Sequence, residues 1–314
     1  MASPVTYTNL SCKSALNAVK SPAMPFDWSI NPYRGCRHGC SFCYARKTHA
    51  FLGIEGNDAF QTRIFVKTNA AERLRSELAR RAGTRNGLKS LGTVAIGTAT
   101  DPYQPAEAKA RITRGCLEAL AEYGLPVTIT TRSPLILRDL DLLKGMDVVS
   151  VNISLNTLDL KVWRRFEPFS PSPVKRLSAL ARLRSEGINA GVFLAPILPW
   201  ITDGIENLRG VVREAAGHGA TFVMHEVLKL DAPEVKHAFF RTLNAHYPAL
   251  APRYGEWYAR GDSPPAVYRR RIGAAVEELL REFRLASAEP LRSAAAIPPP
   301  APPAEAPEQL CLPI

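Results

Sequence analysis

Three cysteines stand together near the start of the chain, in Gly35-Cys36-Arg37-His38-Gly39-Cys40-Ser41-Phe42-Cys43-Tyr44. Their spacing is C-x3-C-x2-C, with an aromatic residue just before the last cysteine. Thiolates are the usual ligands of iron–sulfur clusters, and one short loop can carry three of them to three irons of one cube. A structural zinc ion asks for a fourth ligand. His38 or His49 is available for that role, but the second C-x2-C knuckle common in structural zinc sites has no counterpart here. Three thiolates on a four-iron cluster leave one iron without a protein ligand, and an open metal position is what direct binding of a substrate requires. The remaining cysteines, Cys12, Cys116 and Cys311, are scattered. A secreted disulfide framework spreads its cysteines along a short chain, so the tight group reads as a metal site in a reducing compartment.

Such a loop needs a scaffold, and the chain supplies an alternation. Residues 27–31 read as a short strand leading into the cysteine loop. Residues 63–67 have strand composition, and a helix capped by Thr68 or Asn69 runs to about Ala82. Strands are then expected at 93–96, 127–130, 148–153, 190–194 and 221–224. Helices fall between and around them at 107–123, 140–143, 173–186 and 204–217. Short apolar strands alternating with helices mean βαβ units and a parallel sheet buried on both faces. The expected fold class is therefore α/β, as a full or partial (β/α) barrel, with a doubly wound sheet as the alternative that spacing leaves open. The expected organisation is an N-terminal extension at 1–24, a core domain at 25–230 and a C-terminal helical segment at 231–285, with helices at 233–247 and 265–283. Residues 286–314, with Ile297-Pro298-Pro299-Pro300-Ala301-Pro302-Pro303, form a Pro-rich tail expected to be disordered.

A C-x3-C-x-aromatic-C loop after the first strand of an α/β barrel resembles the radical S-adenosylmethionine (SAM) superfamily. Within it the chain is similar to the spore photoproduct lyase-like branch. The resemblance runs from about residue 31 to 227. Its pieces are the cysteine loop, Thr100-Asp101-Pro102-Tyr103-Gln104-Pro105, Thr131-Arg132-Ser133, Ser154-Leu155-Asn156, Phe166-Glu167-Pro168 and Ala195-Pro196-Ile197. It implies a [4Fe–4S] cluster on Cys36, Cys40 and Cys43, with SAM chelated to the fourth iron. It also implies reductive cleavage of SAM to a 5′-deoxyadenosyl radical that takes a hydrogen atom from substrate. Active sites of such barrels gather at the C-terminal ends of the strands. There the resemblance implies Gly97 and Thr98 beside the methionine portion of SAM and Arg132 on its carboxylate. It implies Ser154 and Asn156 on the ribose, and Ala195, Pro196 and Tyr44 near the adenine. Asp101, Tyr103 and Glu167 are candidates for the substrate cavity. The chain departs from the lyase pattern at one point. The family's hydrogen-donor cysteine aligns with Thr98 or Ala99, neither of which carries a thiol, so lesion repair by that route is not expected.

The formal net charge is +11 and the isoelectric point about 9.5. Lys and Arg replace condensed counterions on a phosphate backbone, so DNA or RNA is an expected partner, and DNA repair an expected setting. Lys and Arg at the barrel mouth would favour nucleic acid over a peptide or small metabolite. A nucleic acid-binding protein with a structural iron–sulfur or zinc site is the reading from another class, and it predicts no SAM cleavage. No apolar run is long enough to cross a bilayer and no signal-peptide pattern begins the chain, so a cytoplasmic location is expected. An electron donor such as flavodoxin or ferredoxin is implied. The final residues, Gln309-Leu310-Cys311-Leu312-Pro313-Ile314, resemble a bacterial sliding-clamp binding peptide carried on a tether.

Overall fold

Short β-branched and apolar runs lie side by side in one large sheet, in the order in which the chain presents them. The computed structural model describes residues 4–20, 24–54 and 58–287. Its strands are β1 (Thr6–Leu10), β2 (Asn17–Ala18), β3 (Trp28–Ile30), β4 (Tyr33–Arg34), β5 (Arg63–Lys67), β6 (Val94–Ile96), β7 (Val127–Thr131), β8 (Val148–Ser154), β9 (Ala190–Ile197) and β10 (Val223–Val227). The large sheet runs β10-β9-β8-β7-β6-β3-β2. From β3 to β10 every pairing is parallel, and β2 lies antiparallel at the edge. A doubly wound sheet reverses its strand order at a switch point and so places helices on both faces. Here the order never reverses. Right-handed crossovers of one sense then put the helices on one face and curl the sheet. The result is a partial barrel: among the described residues β2 and β10 end the sheet.

Burial follows from that wrapping. All three residues of β6 are buried, as are the last five of β8, with none of the alternation of a half-exposed sheet. The helices Ala70–Ala82, Ile112–Glu122, Pro173–Ser185 and Ile205–Gly217 give Leu74, Leu117, Leu180 and Val211 to the same core. The helix Ala266–Glu282 joins them through Ile272, Val276 and Leu279. The segment 231–285 is thus divided. Its last helix belongs to the outer layer of the barrel. The helices Pro233–His246 and Ala251–Tyr258 instead pack Phe239, Leu243 and Tyr254 against Cys40 and Phe42 of the cysteine loop.

Three details differ from the sequence expectation. Strand β5 stands outside the barrel, in a three-stranded sheet of order β1-β5-β4 to which the N-terminal segment contributes β1. The helix expected over 107–123 is broken into Glu107–Ala110 and Ile112–Glu122, with Arg111 between them at φ 52°. The buried Glu107 carboxylate accepts from the Thr113 and Arg114 N–H groups at 2.9 and 3.3 Å, so it serves as the cap of the second helix. The folded chain also continues to Ala286, which bridges to Phe222. The Pro-rich tract and Gln309–Ile314 lie outside the described residues. Among the described residues no helix is long and apolar enough to cross a membrane.

Candidate active site at the cysteine loop

The cysteine loop leaves β4 at Gly35, whose φ is +77°. A Cβ there would lie 2.8 Å from the Phe60 carbonyl oxygen and 2.9 Å from that of Arg63, so only glycine passes. The Gly35 carbonyl accepts from Thr100 Oγ1 at 2.7 Å and Gln104 Nε2 at 3.1 Å. Buried Arg46 fastens the far half of the loop, donating from Nε to the Cys40 carbonyl at 3.1 Å and from its guanidinium to Gln61 Oε1 at 2.8 Å. The Ser41 N–H donates to the Phe166 carbonyl at 2.9 Å. The loop is therefore held by the short helix Ala59–Thr62 ahead of β5, by the loop after β6 and by the helix Leu160–Phe166.

Cys36 and Cys40 are buried, and Cys43 is half-buried. Burial pushes all three thiols up, that of Cys40 to about 12. The carboxylate of Asp101 and the other two cysteines push Cys36 further in the same direction. Arg132 pulls Cys40 back and Arg46 pulls Cys43 back. Three thiols that resist ionising on their own, with two guanidiniums beside them, suit a cationic centre that ionises them on binding. Among the described residues no three His, Cys, Asp or Glu side chains close on a point as a single ion demands. A four-iron cube instead takes one thiolate at each iron and asks for thiols spread around a body. Neither histidine joins the three cysteines in a single-ion group. His38 Nδ1 lies 3.3 Å from Asp101 Oδ2, and His49 Nε2 is 3.2 Å from the Arg63 carbonyl oxygen. His49 packs edge-on to Phe60 and Phe65, and burial holds it down at about 4.

The strand ends place the other candidates along one rim. Gly97 follows β6 at φ +97°, and a Cβ there would meet the Thr130 carbonyl oxygen at 2.5 Å and Pro102 Cδ at 2.7 Å. The chain's own packing therefore demands this glycine. Asn31, after β3, receives nothing from periodicity or spacing, yet it ties down the next loop. Its Nδ2 donates to Thr98 Oγ1 at 2.9 Å and its Oδ1 accepts from the Ala99 N–H at 2.7 Å. Tyr44 is exposed and its hydroxyl donates to the Thr98 carbonyl. Arg132 ends β7 with its Nε 3.2 Å from Glu167 Oε2. Ser154 and Asn156 are buried at the end of β8, and Ser154 stands in register with Phe193, two residues before Ala195 and Pro196 on β9.

Asp101 and Glu167 are buried hubs. Asp101 Oδ1 accepts from the Tyr103 N–H at 2.9 Å and Thr131 Oγ1 at 2.7 Å, and its Oδ2 accepts from the Arg132 N–H at 2.8 Å. Burial pushes this carboxyl up, but His38 and these donors outweigh it and hold it down at about 2. Glu167 Oε2 accepts from Arg132, Arg176 and Ser170. Burial raises Glu167, and Arg176 and Arg132 together bring it below the ordinary carboxylate range. Arg176, missed in the sequence, also donates to the Ser154 carbonyl at 2.9 Å. The available signal was an arginine on the buried stripe formed with Leu177, Leu180 and Leu183 of its helix. Of the spare cysteines, Cys116 is fully buried in the helix layer, Cys12 packs in the same core, and Cys311 lies outside the described residues. Neither described one reaches the rim.

The sequence matches the family model described as Radical SAM superfamily over residues 30–210. It is 38% identical over 302 residues to an uncharacterized protein of Mycobacterium tuberculosis, a match covering 94% of this chain and 87% of that protein. It is 31% identical over 180 residues to the radical SAM Nalpha-GlyT isomerase of Pseudomonas phage M6, covering 56% of this chain and 35% of that protein. A solved spore photoproduct lyase variant with bound AdoMet and dinucleoside spore photoproduct superposes with a TM-score of 0.63 at 16% identity, covering 88% of this chain and 79% of that one. The likeness to that lyase is one of fold.

Proposed function

We propose that this chain, which belongs to the radical SAM superfamily, is an enzyme that uses a [4Fe–4S] cluster on Cys36, Cys40 and Cys43 to act on a nucleic acid or a modified base. One observation carries the reading. Two buried thiols and a half-buried third lie on one loop beside the C-terminal end of a parallel partial barrel, with the guanidiniums of Arg132 and Arg46 beside them. When bound, the cluster and SAM supply a one-electron reductive cleavage that yields a hydrogen-abstracting 5′-deoxyadenosyl radical.

The chain's residues orient and protect. Arg132 and Arg46 offset negative charge at Cys40 and Cys43. Glu167 fixes Arg132 on the rim, where the guanidinium suits the SAM carboxylate. Gly97 and Thr98, Ser154 and Asn156, and Ala195 and Pro196 stand on neighbouring strands as the methionine, ribose and adenine contacts. Tyr44 closes over Thr98. The helices Pro233–His246 and Ala251–Tyr258 pack over Cys40 and Phe42 and keep water from the thiols.

Nucleic acid as substrate is supported by the net charge of +11, by Arg164 and Lys175 in the cleft that runs past the loops after β6 and β7, and by the dinucleoside held in the fold-related lyase. Thr98 and Ala99 carry no thiol, so the product radical is quenched by some route other than that lyase's cysteine. An acidic carrier such as flavodoxin or ferredoxin delivers the electron. Gln309–Ile314 brings the enzyme to the bacterial sliding clamp; equal clamp capture by full-length and tail-deleted protein would sink that part. For the central reaction, the cluster is reconstituted without oxygen and reduced, SAM is added, and 5′-deoxyadenosine is quantified by mass spectrometry. Product is expected from the wild type and none from the Cys36→Ala, Cys40→Ala, Cys43→Ala variant. Equal product from both, or none from a reduced wild type supplied with DNA and RNA, contradicts the reading.

A further inference from the structure

The helix Leu160–Phe166 carries a row of cations. Asp159 caps its start, accepting from the Lys161 and Val162 N–H groups at 2.7 and 3.1 Å. Lys161, Arg164 and Arg165 follow at spacings that put them on neighbouring turns. One cleft of about 430 Å³ lies along this helix, lined by Leu160, Lys161, Trp163, Arg164 and Arg165. A second, of about 740 Å³, shares Trp163 and Arg164 and continues past Phe169 and Lys175 to His38 and Tyr103. The two form one groove. It follows the loops after β6, β7 and β8 and ends on the outer side of the cysteine loop, where the Phe169 N–H donates to the His38 carbonyl at 3.3 Å.

Two features separate this groove from an ordinary solvated face. First, its cations are uncompensated. Among the described residues no carboxylate lines either cleft. Lys161, Arg164, Arg165, Lys175 and the adjacent Arg37 likewise form none of the ion pairs into which Arg75, Arg114, Arg138 and Arg241 enter elsewhere. Second, the arginines lie over aromatic rings. Arg37 lies 4.0 Å over the Phe169 ring, Arg164 lies 4.5 Å over Trp163, and Arg165 lies 5.1 Å over Tyr247. A guanidinium over a ring is positioned without being neutralised, and its charge stays available to phosphate. Phe169 and Leu160, at 36% and 56% exposure, add apolar surface between the charges. Clefts of this size take nucleotide-sized segments. A cationic groove with an exposed ring is the make-up of a single-strand track.

We infer that this groove holds the backbone of a single nucleic acid strand flanking the nucleotide that enters the barrel mouth. The inference rests on nucleic acid being the substrate. It is tested with full-length, cluster-reconstituted protein and fluorescein-labelled oligonucleotides, DNA and RNA, single-stranded and duplex, by anisotropy across a salt series. The groove variant is Lys161→Gln, Arg164→Gln, Arg165→Gln, Lys175→Gln. The control removes four exposed cations elsewhere, Arg73→Gln, Arg80→Gln, Arg269→Gln, Arg270→Gln. Iron content and circular dichroism report that each variant is folded and loaded. The wild type is expected to prefer single strands. Each lost phosphate contact flattens the slope of log affinity against log salt by about 0.7 for a single strand, so the groove variant should flatten by about 2 to 3 and bind roughly 10- to 100-fold more weakly. The control should bind like the wild type.

Equal binding by wild type and groove variant, or equal loss in the control, overturns the track and leaves the substrate reading standing. Tighter binding of duplex overturns the single-strand assignment. A groove variant that binds nucleic acid normally but is no longer reduced by flavodoxin would make the surface an electron-carrier dock instead. If the wild type cleaves SAM yet binds no nucleic acid, the substrate reading itself has failed and the track falls with it.

Discussion

Replacing Asp101 by Asn should loosen the whole rim at once. The carboxylate touches three loops: it accepts from Tyr103 after β6 and from Thr131 and Arg132 at the end of β7, and it lies 3.3 Å from His38 Nδ1 of the cysteine loop. Held at about 2 against an ordinary 3.8, at roughly 1.4 kcal/mol per pH unit, it contributes about 2 kcal/mol at neutral pH. An asparagine keeps one acceptor and turns the other into an amino group facing the Arg132 N–H and His38. Leaving that buried N–H unsatisfied adds about 1–3 kcal/mol. The expected loss is thus about 3–5 kcal/mol, read by urea unfolding of the metal-free, full-length protein at neutral pH. The sign with pH follows from the depressed carboxyl. Its contribution is complete above about 4 and is lost as pH falls through about 2, so the gap between wild type and variant should narrow over that interval. A variant within about 1 kcal/mol of wild type at neutral pH would show that other contacts hold the three loops, and the hub assignment would be wrong.

Other substitutions test separate parts of the site. Glu167→Gln leaves Arg132 and Arg176 against a neutral amide; by the usual cost of breaking a buried pair it should lose about 3–5 kcal/mol, and an unchanged urea midpoint would refute the pairing. Gly97→Ala drives a methyl to within 2.5 Å of the Thr130 carbonyl oxygen, in a backbone region that side chains avoid. It should cost more than about 2 kcal/mol, and a wild-type midpoint would show that the loop after β6 can move aside. Cys116→Ser should leave the iron-to-protein ratio unchanged, because that thiol is buried in the helix layer; a loss of iron would make it a fourth ligand and end the three-thiolate account.

The parts of the fold carried by local pattern were legible in the sequence. The core strands read as short apolar runs because a parallel sheet buried on both faces has no polar side to show. What failed to read was partnership. Arg63–Lys67 has the composition of a core strand, and nothing in five residues says that its neighbours are β1 and β4. The break at Arg111 depends on a carboxylate that folds back to cap the next helix, a contact set by the buried network with Tyr33 and Arg138. Chemistry showed the same division. C-x3-C-x2-C marks its candidate ligands by spacing alone. Asp101 and Glu167 were legible as polar residues among turn formers, and the sequence left open whether they face a cavity or are closed inside it. The structure buries both.

The central claim is that three thiolates hold a four-iron cluster whose remaining iron is free to take SAM. The most direct test is the EPR spectrum of the reduced, reconstituted protein before and after SAM is added, with no other substrate present. The account predicts a cluster signal that changes on SAM addition and is absent from the Cys36→Ala, Cys40→Ala, Cys43→Ala variant. A reducible cluster whose spectrum is unmoved by saturating SAM would contradict it and assign these cysteines a structural centre.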